Sequence, residues 1–98
     1  MKVITICGSV KFYDDMIRAY ERWVYDGWCV LGMLPLAPQT PEQIAMLKAN
    51  HYKKIELSDA IFVVTKDGYI GNSTKNEIEY AKSLGKEILY SEKNEIIK

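Results

Sequence analysis

The chain reads as an α/β protein built on a small, doubly wound parallel sheet with helices on both faces. Two observations predict this. Short apolar runs alternate with longer segments of helical periodicity, in the order β-α-β-α-β-α-β. The runs themselves, Val3 to Cys7 and Ala60 to Val64 above all, are apolar but for Thr5, as in strands covered on both sides. A length of 98 residues makes one domain, 1–98, large enough to bury a single core.

Each element has its own signal. Val3 to Cys7 is the first strand, and Gly8-Ser9 ends it. A helix is expected over about Lys11 to Tyr25, where Tyr13, Met16, Ile17, Tyr20, Trp23 and Val24 recur at helical spacing. Asp14 and Asp15 sit early in it and Arg18 and Arg22 later, as the helix dipole favours, and Gly27 stops it. Trp28 to Leu34 reads as the second strand, and Pro35 to Pro41 as a loop. Thr40-Pro41-Glu42-Gln43 combines a capping box with a proline at the first helical position. The helix it opens runs to about Leu57, with Ile44, Leu47, His51 and Ile55 on one face. Ser58-Asp59 breaks it before the third strand. A third helix is expected over about Lys75 to Leu84, stopped by Gly85, and Glu87 to Tyr90 is the fourth strand. The polar tail, Ser91 to Lys98, has room for a short edge element.

Composition narrows the function. Lysine plus arginine and aspartate plus glutamate both total 13, so the net charge is zero. That balance argues against a nucleic-acid polymer as partner, which would need a basic surface, but leaves room for a small anion. Cys7 and Cys29 fall in separate strands without CxxC spacing, which suits a reducing, cytoplasmic location. One histidine and scattered cysteines form no metal-ligand pattern. No apolar run approaches membrane-spanning length, and the N-terminus lacks the pattern of a signal peptide.

In a sheet of this kind ligands bind outside the carboxyl ends of the strands. Three segments meet there: Gly8 to Lys11, the proline loop, and Asp67 to Glu77. The stretch Gly68 to Ala81 runs from a glycine-rich loop into a helix whose N-terminus favours an anion. Glu77 faces that pocket, and its chemistry has a rival, since Thr74-Lys75-Asn76-Glu77 also fits a capping box. Gly8 and Ser9 either donate to a ligand or simply make a capped turn. Lys11 is a phosphate partner or a solvated lysine. Tyr69, Gly71, Asn72, Ser73 and Thr74 are candidate ligand contacts, while turn chemistry explains Gly68, Gly71 and Asn72 equally well. Met33 and the prolines are candidate walls for a base. Cys7 reads as a buried structural thiol.

Two motifs carry a family resemblance: Ile6-Cys7-Gly8-Ser9-Val10, and the run Glu77-Ile78-Glu79-Tyr80-Ala81-Lys82-Ser83-Leu84-Gly85-Lys86. With the element order, they resemble the nucleoside 2-deoxyribosyltransferase-like superfamily, which includes small nucleotide N-glycosidases. The resemblance implies a flavodoxin-like or Rossmann-like three-layer fold. It implies cleavage or transfer at the N-glycosidic bond of a (deoxy)nucleoside or nucleoside 5′-monophosphate, with no metal or organic cofactor. Glu77 falls on the nucleophile position, where a carboxylate attacks the anomeric carbon and forms a glycosyl-enzyme that water or a second base resolves. There are two departures. Family members carry a carboxylate on the helix before the third strand, and this chain has His51 there, a group able to orient the sugar or protonate the leaving base. The segment Thr65 to Asn76 is longer than in the nucleotide-cleaving relatives and lacks an unambiguous phosphate-binding serine, which leaves the 5′-phosphate preference open.

Two other classes stay open: a non-catalytic nucleotide-binding or sensing module of the same fold, and an interaction domain with an empty pocket. An aromatic fraction of 11% in so small a domain points to a homodimer or larger homo-oligomer, with Tyr20 and Trp23 of the first helix as contributors.

Overall fold

The computed structural model describes residues 1–32 and 36–92. Its strands are β1 (Val3–Gly8), β2 (Cys29–Leu31), β3 (Ala60–Val64) and β4 (Glu87–Tyr90), and its helices are α1 (Tyr13–Tyr25), α2 (Pro41–Leu57) and α3 (Asn72–Ser83). The strands form one parallel sheet in the order β2-β1-β3-β4. This is the α/β architecture that alternation predicts. The central strands pair Ile4 with Ala60 through Gly8 with Val64.

Alternation along β1 and β3 splits the core into two layers. Ile4, Ile6, Phe62 and Val64 face α1 and pack with Met16, Ala19 and Trp23. Cys7, Ile61 and Val63 face the other way and pack with Ile55 of α2 and Ile78 and Ala81 of α3. Ile4, Ile6, Ile55 and Ile61 are fully buried, each contributing about 1.5–3 kcal/mol relative to exposure.

Several boundaries depart from the sequence reading. α1 starts at Tyr13, because Val10–Phe12 forms a separate 3-10 turn capped by Ser9, whose hydroxyl accepts from Lys11 N. β2 spans only Cys29–Leu31; the expected extension over Met33 and Leu34, and the base-walling role given to Met33 and Pro35, lie outside the described residues. So does the tail element over 93–98. Trp23, expected at a subunit contact, is instead a core residue, packed edge-on against both Trp28 and Phe62. The α2 capping box forms as expected: Gln43 N donates to Thr40 Oγ1, and Thr40 N donates to Gln43 Oε1. The inward face of α2 is shorter than its periodicity suggests. His51 and Ile55 are buried, but Ile44 is exposed. No helix among the described residues is long and apolar enough to cross a membrane.

Candidate functional site

At the carboxyl end of β1, the side chain after Ile6 belongs to Cys7 and therefore points to the face covered by α2 and α3. α2 returns over that face, and His51 lies one turn before the buried Ile55. α3 brings Glu77, which precedes the buried Ile78. The three side chains converge. His51 Nε2 lies 3.4 Å from Cys7 Sγ and 3.3 Å from Glu77 Oε1. The three ligand atoms all fall within 4.8 Å of one another. Cys7 is fully buried and His51 nearly so, while the Glu77 side chain keeps 15% of its surface exposed.

The electrostatics follow from this packing. A carboxylate only accepts hydrogen bonds, so in a neutral imidazole Nε2 carries the hydrogen that faces Glu77. His51 Nδ1 is then left buried without a partner among the described residues. Burial first, and then the charge of Glu77, pushes the Cys7 thiol well above its ordinary range. The Tyr52 hydroxyl is raised by burial and by the same carboxylate. Cys7 therefore stays a thiol near neutrality and is no nucleophile. Cys29, by contrast, is exposed. Titration of the native chain with a thiol reagent is expected to label one cysteine quickly and the second only on unfolding. Rapid labelling of both would contradict the buried placement of Cys7.

The capping reading of Thr74 and Glu77 fails in the structure. α3 begins at Asn72, with Gly71 as an N-cap that offers no side-chain bond. Thr74 lies inside the first turn and is buried in line with Ile78 and Ala81. Its burial extends the inward stripe of α3 by one turn, and the helix starts before the expected Lys75. Asn72 and Ser73 are exposed on that turn. The first ladder bond is Lys75 N to Gly71 O, so the N–H groups before it point out of the helix end without intrahelical acceptors.

The loop ahead of α3 is braced rather than open. Asp67 and Gly68 both have positive φ, and Tyr69 N donates to Lys66 O, which makes a tight two-residue turn. Glu92 accepts from the N–H groups of Asp67 and Gly68. Bonding to Thr65 and then to Gly68 N holds its carboxyl below the usual range. The Tyr69 ring packs edge-on against Phe12 and carries Lys11 Nζ 3.8 Å from its centroid. Lys11 and Tyr69 thus engage each other and clamp the segment after β1 to the segment after β3. Tyr69 also lies close over Gly71, where an added Cβ would meet its hydroxyl at 3.3 Å.

The structure therefore brings His51 and Glu77 into contact and joins Lys11 to Tyr69. Gly8 and Ser9 follow Cys7 at the end of β1, and Gly71 to Thr74 open α3. A cavity of about 510 Å³ lies elsewhere, between α1 and β2. Tyr13, Met16, Tyr20, Val30 and Gly32 line it, and none of the candidate residues do. Cys7 is the buried thiol expected, but the sequence reading missed its contact with His51 and the effect of Glu77 on Tyr52. The signal for Cys7 was the alternation along β1, which sets it opposite Ile6 on the α2 side.

The fold and this residue cluster define a class of small parallel α/β proteins with a carboxylate-bearing helix at the strand ends. Solved structures that share the fold include two enzymes. A 2-desoxiribosyltransferase from Leishmania mexicana superposes with a TM-score of 0.65 at 22% identity, covering 92% of this chain and 63% of that one. A CMP N-glycosidase from Clostridium botulinum superposes with a TM-score of 0.59 at 20% identity, covering 91% of this chain and 70% of that one. The chain thus spans less than two-thirds of the Leishmania enzyme. No family model matches the sequence, and a search of curated proteins finds no match to it.

Proposed function

We propose that the chain cleaves or transfers at the N-glycosidic bond of a (deoxy)nucleoside or a nucleoside 5′-monophosphate, with Glu77 as nucleophile. The observation that carries this reading is the Glu77 carboxylate itself. It is held by His51, relieved of any capping duty, and set at the strand ends of a fold shared with a 2-desoxiribosyltransferase and a CMP N-glycosidase. Glu77 attacks the anomeric carbon, the bond to the base breaks, and the electron pair leaves with the base, which takes a proton from solvent water. Water or a second base then releases the sugar. The placement of His51 supports an orienting role over proton delivery to the base. Its ring is buried, and Nε2 is already directed at Glu77 and Cys7. Gly8, Ser9 and the α3 N-terminus supply donors for the sugar or phosphate.

Incubation with ribo- and deoxyribonucleosides and their monophosphates, followed by chromatography, is expected to show free base from at least one deoxy substrate. Ligands that stabilise the protein and are recovered intact would instead establish the nucleotide-sensing module. We also propose self-association through α1, where Ile17, Tyr20 and Val24 all stay exposed along one stripe. Sedimentation is expected to show a species heavier than the 11.3 kDa chain; a lone monomer at micromolar concentration would refute this.

A further inference from the structure

We propose that Cys7, His51 and Glu77 together bind one Zn²⁺ ion, or a cation of like preference such as Co²⁺, leaving a fourth position open to water. These are three of the ligand types zinc favours: thiolate, imidazole and carboxylate. The spacing fits as well. Zinc bonds of about 2.3 Å to sulfur and about 2.0–2.1 Å to nitrogen and oxygen, at tetrahedral angles, set S···N near about 3.6 Å and N···O near about 3.3 Å. The cluster has 3.4 Å from Sγ to Nε2 and 3.3 Å from Nε2 to Oε1. The third edge, from Cys7 Sγ to the Glu77 oxygen, is no longer than 4.8 Å, against about 3.6 Å in a tetrahedral site, so the partly exposed Glu77 side chain closes onto the cation as it binds.

The donors come from β1, α2 and α3, whose positions are set by the shared core of Ile55, Ile61, Val63 and Ile78. That makes the arrangement preorganised, and the partial exposure of Glu77 gives an entry path. The thiol proton passes to solvent as the Zn–S bond forms, so thiolate and carboxylate balance the dication, and no redox step is involved. One feature limits the affinity. His51 Nδ1 has no acceptor among the described residues, whereas stable zinc centres hold that N–H from behind. The ion is therefore exchangeable rather than structural. Once bound it occupies the Glu77 carboxylate, so zinc would inhibit the proposed base release, although the binding claim does not rest on that reaction.

The test uses the whole chain, freed of metal by chelation, with no nucleoside present. Titration with Co²⁺ is expected to produce thiolate-to-cobalt charge-transfer absorption at one ion per chain, displaced by Zn²⁺. Cys7→Ser should abolish that band, and Cys7→Ser, His51→Ala and Glu77→Gln should each weaken Zn²⁺ binding by about tenfold or more in calorimetry. Cys29→Ser removes the exposed thiol and should change neither readout. Circular dichroism identifies the variants that fold, and any one folded member of the three suffices. Absence of the band in the unaltered chain, its persistence in Cys7→Ser, its loss in Cys29→Ser, or undiminished zinc affinity in a folded His51 or Glu77 variant would overturn the proposal.

Discussion

Replacing Glu77 by glutamine lowers base release by on the order of 10³-fold or more while the protein stays folded. Glutamine is isosteric, and its amide oxygen still accepts the hydrogen on His51 Nε2, so the contact between α2 and α3 is kept. What is lost is the negative charge that attacks the anomeric carbon. Stability should change little, because the N-cap of α3 is Gly71 and no cap depends on Glu77. Loss of a true capping box would do the reverse, costing about 1 kcal/mol with turnover intact. Acid quench followed by intact-mass analysis adds a covalent readout: a glycosyl adduct in the unaltered enzyme, absent from Glu77→Gln. A variant that keeps its turnover would remove Glu77 from the nucleophile role.

What the sequence made legible follows from the range over which each signal acts. Strand order along the chain, the Thr40 capping box and the convergence of β1 with the loop before α3 were all readable, since each rests on local pattern or on the handedness of parallel crossovers. The start of α3 was misread for a tertiary reason. Thr74 has the composition of a cap, but it is buried in line with Ile78 and Ala81, and burial outweighs capping preference. Trp23 was misplaced because helical spacing puts Tyr20 and Trp23 near one another on α1. Only the packed sheet shows that Trp28 and Phe62 enclose one of them and leave the other in solvent. The Cys7–His51 contact joins residues far apart in sequence, and no local rule foretells a 3.4 Å approach.

Gly8→Ala is expected to cost about 1–3 kcal/mol of stability, and Gly8→Val more, even with no ligand present. Gly8 has φ +155, and a Cβ added there would meet Val64 O at 3.1 Å, Val64 Cβ at 3.3 Å and Met16 Sδ at 3.4 Å. The methionine can swing aside, but a carbonyl of the neighbouring strand cannot, because Gly8 and Val64 are register partners in the sheet. The two central strands must therefore part at their carboxyl ends. Against a total stability of roughly 5–15 kcal/mol, that is a large fraction of what holds the fold. The same displacement carries Cys7, the preceding residue, away from His51, so the site should loosen together with the sheet. Urea unfolding of the ligand-free variants measures the effect as a lower midpoint at an unchanged slope. If Gly8 is there only to let a ligand approach the backbone, Gly8→Ala would unfold at the original midpoint and its defect would appear solely as a raised KM. That pattern would defeat the packing account and return Gly8 to the binding site.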